Sequence, residues 1–203
     1  MEDEKGLGLL RGRYQVLLDQ PLPHLNRGEN KAYKVVDLRE SDNVLFALVL
    51  APGMPYRDDM VEKITARNTA GLTILHSHGV VHFTGTDFRY VFIHDMPVGG
   101  PVFVEGQGGL TEQNVLNVIV PKIVDVIINF GSRDLTHRNI RADNLFYMEA
   151  EKAGVVLGEC VSTPPGSLQP TVYEPMESAH ALPEGRGRGS TMFDIYALGV
   201  TIV

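Results

Sequence analysis

The chain has 203 residues, 43% hydrophobic and 21% charged, a balance that can build a core and does not fit a disordered segment. Eighteen Lys and Arg against 25 Asp and Glu leave a formal charge of −7, which argues against a nucleic-acid binder, whose surface must neutralise phosphates. The one cysteine, Cys160, excludes an internal disulfide and a multi-cysteine zinc site, and fits a reducing, cytoplasmic compartment.

The first residues, Met-Glu-Asp-Glu-Lys, lack the basic start and apolar run of a secretory signal. Tyr14 to Leu18 is the first expected strand, followed by a turn-rich stretch from Gln20 to Asn30. Ala32 to Val36 and Val44 to Leu50 follow, with hairpin-turn residues Ser41, Asp42 and Asn43 between them. After the break at Ala51 to Pro55, Asp58 or Asp59 is placed to cap a helix reaching about Leu75. Val80 to Phe83 and Arg89 to His94 read as two more strands. Pro97 to Pro101 and Glu105 to Gly109 then read as a linker rich in Gly and Pro.

Thr111 caps the next predicted helix, whose apolar residues Leu116, Ile119, Val120, Ile123, Ile127 and Phe130 keep helical spacing. Val115, Val118, Val124, Val126 and Ile128 cover much of its other side, so burial nearly all round is expected, with a kink or one broken backbone bond at Pro121. This is also the strongest candidate to span a bilayer, but Asn117, Pro121, Lys122 and Asp125 interrupt it, so no membrane span is expected. Short strands at Asn144 to Met148 and Gly154 to Leu157, a loop over 158 to 191, and a buried helix from Asp194 to Val203 complete the reading. Strands around one helix, a Gly/Pro hinge and a mostly helical half make a two-lobed α+β plan: 1–96, a linker at 97–110, and 111–203.

At His137-Arg-Asn-Ile-Arg-Ala-Asp-Asn144 the sequence resembles the catalytic loop of protein kinases, H-R-D-L-x-x-x-N followed by a strand. Val155 to Val161 resembles the strand and D-F-G segment, and Tyr173 to Met176 the end of an activation segment. Gly189 to Val200 resembles the start of the central C-lobe helix. Phe46 to Leu50 resembles the V-A-I-K strand, and Tyr90 to Met96 the last N-lobe strand. The resemblance implies a kinase-like fold with an antiparallel N-lobe sheet, one helix and an incomplete, mainly helical C-lobe. It assigns His137, Arg138 and Asp194 to structural roles around the loop.

The departures fall on the chemistry. Val49 stands where kinases carry the phosphate-clamping lysine, and Asn139, whose amide is no base, where they carry the catalytic aspartate. D-F-G reads Glu159-Cys160-Val161, the Gly-rich loop keeps only Gly28, and the A-P-E glutamate is Met176. The resemblance therefore implies a pseudokinase with no catalytic residues, acting as a protein-interaction or regulatory module.

The competing reading is an unorthodox ATP-dependent Ser/Thr kinase. Lys31 or Lys34 replaces the clamp, as in a kinase branch whose lysine comes from the Gly-rich loop. Ala47 keeps a small shelf for adenine, and Asn144 and Glu159 hold Mg²⁺. Against it, both lysines also read as solvated strand residues, and neither ATP nor Mg²⁺ is expected to be held firmly. His76, His78 and His82 have a zinc-like spacing but no thiolate or fourth ligand nearby, so no metal is assigned. Gly185 to Gly189 and Ser162 to Ser167 read as flexible loops, and Cys160 as buried and inert. Against the kinase pattern the chain is short, so Ile195, Leu198, Val200, Ile202 and Val203 are expected to need a protein partner or the remainder of the lobe.

Overall fold

The structure, a computed structural model, describes residues 7–84, 86–104, 106, 110–163, 173–176 and 189–202. Most of the Glu105 to Gly109 linker, residues 164–167, residues 185–188 and Val203 lie outside them. Two compact units emerge, one within Met1–Met54 and Ile74–Met96, the other within Pro55–Thr73 and Pro97–Val203. The segment 55–73, read from sequence as part of the first lobe, groups with the second unit.

In the first unit, β1 (Leu9–Leu10), β2 (Tyr14–Pro21), β3 (Lys31–Asp37), β4 (Leu45–Val49), β5 (Leu75–Thr84) and β6 (Asp87–Asp95) form one sheet in the order β1-β2-β3-β4-β6-β5. Every neighbouring pair is antiparallel. The two outer edges meet where Gly8 N–H donates to the His82 carbonyl at 2.7 Å. The β3–β4 turn is held by the buried Asp37 carboxylate, which accepts from the Arg13 guanidinium at 2.6 Å and from Asn43 Nδ2 at 3.0 Å. Hydrogen bonding to Arg13 holds that carboxyl well below the usual carboxylate range.

Register fixes which side chains share a face. Tyr33 lies opposite Ala47 and Lys31 opposite Val49, whereas Ala32 lies opposite Leu48 and Lys34 opposite Phe46. Ala47 and Val49 point into a buried cluster with Leu10, Tyr14, Val16, Val35, Val81, Val91 and Ile93. Phe46, Leu48, Phe92 and His94 share the other face. Neither β1 nor the early start of β5 at Leu75 was expected, because Leu75 was assigned to the preceding helix.

In the second unit that helix, α1 (Asp58–Thr65), is only eight residues long. It stops short of Leu75 because the chain beyond it is drawn into the second unit's sheet: Leu157 N–H donates to the Gly71 carbonyl, and Thr73 N–H to that of Leu157. β7 (Gly100–Pro101), β8 (Leu145–Tyr147) and β9 (Val155–Leu157) form this sheet, with β7 arising inside the expected linker.

α2 (Glu112–Gly131) is one continuous 20-residue helix, capped by Thr111 Oγ1, which accepts from Asn114 N–H. The chain widens to a π turn over Val115–Ile119, just ahead of Pro121. Pro121 donates no backbone bond and its ring crowds the carbonyl four residues back, so the wider turn absorbs the expected kink. α2 is buried along one stripe, Ile119, Ile123, Val126, Ile127 and Phe130, while Leu116 is 51% and Ile128 64% exposed. The expectation of burial all round is thus corrected. Among the described residues α2 is the one helix long and apolar enough to cross a bilayer, by length and composition only, and its apolar stripe packs inside the unit. α3 (Thr191–Thr201) starts three residues earlier than expected and buries only Asp194, Ala197 and Leu198, so it too is one-sided. Gly131 lets the two helices approach, since a Cβ there would lie 3.0 Å from Thr191 Oγ1.

Candidate functional site

The segment 136–144 of the second unit is organised by α3. The buried Asp194 carboxylate accepts from His137 N–H at 2.7 Å and from Arg138 N–H at 2.8 Å. Burial raises its pKa above the ordinary carboxylate value, and the two amide bonds oppose that rise. The clamp holds Arg138 at a φ of 59°, a left-handed conformation costly for a side-chain-bearing residue.

His137 is fully buried, and desolvation lowers its pKa to about 3, so the ring is neutral. Its Nε2 lies 3.2 Å from the Gly158 carbonyl and carries the proton, while Nδ1 accepts from Asn139 N–H. Arg138 forms a buried ion pair with Glu174 at 3.1 Å. The three residues assigned structural roles all lie in this network.

The polar residues of the kinase-like site turn toward one another. Asn139 Nδ2 donates to the Glu159 carbonyl at 3.0 Å. Asn144 Nδ2 donates to the carbonyls of Asn139 at 2.9 Å and Glu159 at 3.0 Å. Its Oδ1 is pressed against Gly158, where a Cβ would lie 2.0 Å away. The Glu159 side chain folds back on its own loop: one carboxylate oxygen accepts from Ser162 N–H at 2.9 Å, the other from Ser162 Oγ at 2.6 Å. A Mg²⁺ shared by Asn144 and Glu159 needs the amide oxygen and the carboxylate turned to a common point. Here the oxygen faces backbone and the carboxylate faces Ser162, so these residues as arranged do not fit the ion.

In the first unit, Ala47 and Lys34 lie on opposite faces of the sheet, which corrects the expectation that one nucleotide site uses both. Lys31 shares a face with Val49 and sits directly opposite it; both lysines are exposed. Val49 is 4% exposed and Ala47 fully buried, both within the sheet's own core. A one-residue change in the assignment of this strand supplies no lysine either, because Phe46, Leu48 and Leu50 are apolar.

The three histidines take separate partners: His76 pairs with Asp95 at 2.6 Å, His78 with Tyr90 at 2.7 Å, and His82 stacks on Phe88. Among the described residues no cluster of three or more His, Cys, Asp or Glu is placed to hold a metal. Cys160 is buried, and desolvation pushes its thiol far up.

Sequence reasoning missed three members of the network. Arg57, just ahead of α1, donates to the carbonyls of His137 at 2.8 Å and Cys160 at 3.3 Å. Ser162 satisfies Glu159, and Glu174 holds Arg138. The carboxylate two residues before Met176 was the one available signal.

The sequence matches no family model and no curated protein. Solved structures do match. Rad53 residues 1–466 in complex with AMP-PNP aligns with a TM-score of 0.64 at 15% identity, covering 94% of this chain and 47% of that one. The PK-1 kinase of Cydia pomonella granulovirus aligns with a TM-score of 0.61 at 17% identity, covering 94% of this chain and 69% of that one. The fold is therefore protein kinase-like and α+β, and the chain spans about half of the Rad53 chain.

Proposed function

We propose that this is a catalytically inactive, kinase-like domain that works in the cytoplasm as a protein-interaction or regulatory module. One observation carries the reading: Asn139, in the position of the catalytic base, is buried and donates its amide to the Glu159 carbonyl, so it can neither accept a proton nor reach a substrate hydroxyl. The apolar β4 supports it, because phosphoryl transfer depends on placed charge and this strand carries none. The lone buried cysteine supports the compartment. The test is transfer of labelled phosphate from ATP to a generic protein substrate with Mg²⁺ or Mn²⁺. No transfer above a no-protein control is expected, and turnover abolished by Asn139→Ala would overturn the proposal.

A second reading rests on one register fact. Lys31 stands across from Val49 on the same face, so an unorthodox ATP-dependent kinase would draw its clamp from Lys31 rather than Lys34. It requires nucleotide affinity that Lys31→Ala removes and Lys34→Ala leaves intact.

A further inference from the structure

One basic motif of the sequence leads straight into an exposed hydroxyl. Gly185-Arg-Gly-Arg-Gly189 places Arg186 and Arg188 four and two residues ahead of Ser190, and no Asp or Glu falls between 185 and 193 in a chain whose formal charge is −7. The structure separates the two hydroxyls that follow. Ser190 is exposed, its backbone is extended at φ −143° and ψ 161°, and its side chain makes no capping bond to α3. Gly189 ahead of it turns at a φ of 77°, a left-handed conformation that glycine takes without strain. Thr191 already lies within the helix, half-buried, and its Oγ1 faces Gly131 so closely that a Cβ there would lie 3.0 Å away. Ser190 is thus presented outside the helix, whereas Thr191 is crowded against α2. The substrate groove of a protein kinase takes an extended segment and selects cations beside the acceptor with carboxylates of its own. Glycine on either side of each arginine puts no Cβ in the way of such a groove.

We infer that Ser190 is a phosphorylation site for an arginine-directed Ser/Thr protein kinase. In the transfer, Ser190 Oγ forms a bond to the γ-phosphorus of that kinase's ATP, the bond from this phosphorus to ADP breaks, and the hydroxyl proton passes to the kinase's base. The product carries about −1.5 to −2 charge at neutral pH. The phosphate lies beside the amides of Thr191 and Met192, first-turn donors with no carbonyl inside the helix to bond. It thereby braces the start of α3, the helix whose Asp194 holds His137 and Arg138. The inference does not depend on whether this chain transfers phosphate itself.

The test incubates the full chain with Mg²⁺, ATP and a purified Ser/Thr kinase that selects arginine ahead of its acceptor, then locates phosphate by tandem mass spectrometry. A control without the added kinase measures any transfer by the chain itself, which is subtracted. Incorporation approaching one phosphate per chain, on Ser190, is the expected result. Ser190→Ala should abolish it while keeping the native circular dichroism spectrum. Replacing Arg186 and Arg188 together by Ala should slow it by about tenfold or more. The phosphorylated chain should melt about 1–4 °C above the native one. Phosphate on Thr191 or another hydroxyl in place of Ser190, incorporation that needs prior unfolding in urea, a rate indifferent to both arginines, or a product that melts below the native chain would each overturn the inference.

Discussion

β4 and the loop that follows α2 differ, in opposite ways, from the kinase pattern that the sequence resembles. In β4 the position that the resemblance assigns to the charged clamp is core: Val49 and Ala47 pack among Tyr14, Val16, Val35 and Val91, and the strand itself carries no cation. In the loop the polar residues remain but bond to one another, with Asn139, Asn144 and Glu159 joined through two backbone carbonyls and Ser162. The difference teaches that, on the proposed reading, a site closes either by losing its polarity or by spending it internally, one in each unit. Buried polar groups persist where they are satisfied, and here the satisfaction is architectural.

The largest effect belongs to Val49→Lys. Placing the lysine of the kinase pattern there drives an ammonium into the apolar cluster, and a loss of about 4 kcal/mol or more in denaturant unfolding is expected, with no gain of nucleotide affinity. Tolerance of the lysine, at native stability, would mean that Val49 faces an open site after all.

Asp194→Ala removes the acceptor of two buried amides and should cost roughly 2–6 kcal/mol, at about 1–3 kcal/mol per orphaned donor. Asn139→Asp replaces a donor with a second acceptor facing the Glu159 carbonyl. It should lose about 1–3 kcal/mol and restore no phosphoryl transfer.

Acid should weaken both units. His137 and His94 are both fully buried with pKa lowered by desolvation to about 3, whereas each titrates near 6.5 when unfolded. The unfolded chain therefore binds more protons between these values. The stability contributed is complete above about pH 6.5 and falls as pH drops, by about 1.4 kcal/mol per pH unit for each histidine. His94, whose ring stacks on Phe46 and meets no stronger polar partner than the Ile74 backbone, should be the easier to replace. His94→Phe should reduce the pH dependence of urea midpoints between pH 7 and pH 5, and an unchanged slope would remove His94 from the account. The smallest effects fall on the exposed lysines, where Lys31→Ala and Lys34→Ala should shift stability by no more than about 0.5 kcal/mol.

Much of the loop was legible because its signal is contiguous: His137 to Asn144 and the strand after it lie in one stretch of sequence. The face of β4 was not, because Leu45–Val49 is buried at all five positions and carries no alternation to say which side is which. Only register against β3 separates Lys34 from Ala47. The end of α1 was hidden for a similar reason, since the pairing of Gly71 and Thr73 with Leu157 joins residues more than 80 positions apart. Glu174 and Arg57 act through long-range contacts of the same kind, with no local pattern to mark them.

The central claim, that neither unit retains what a nucleotide needs, is tested most directly by thermal-shift titration of the full chain with ATP, with and without Mg²⁺. No Mg²⁺-dependent rise in melting temperature at millimolar ATP is the predicted result. A saturating, Mg²⁺-dependent rise that Glu159→Gln abolishes would contradict it.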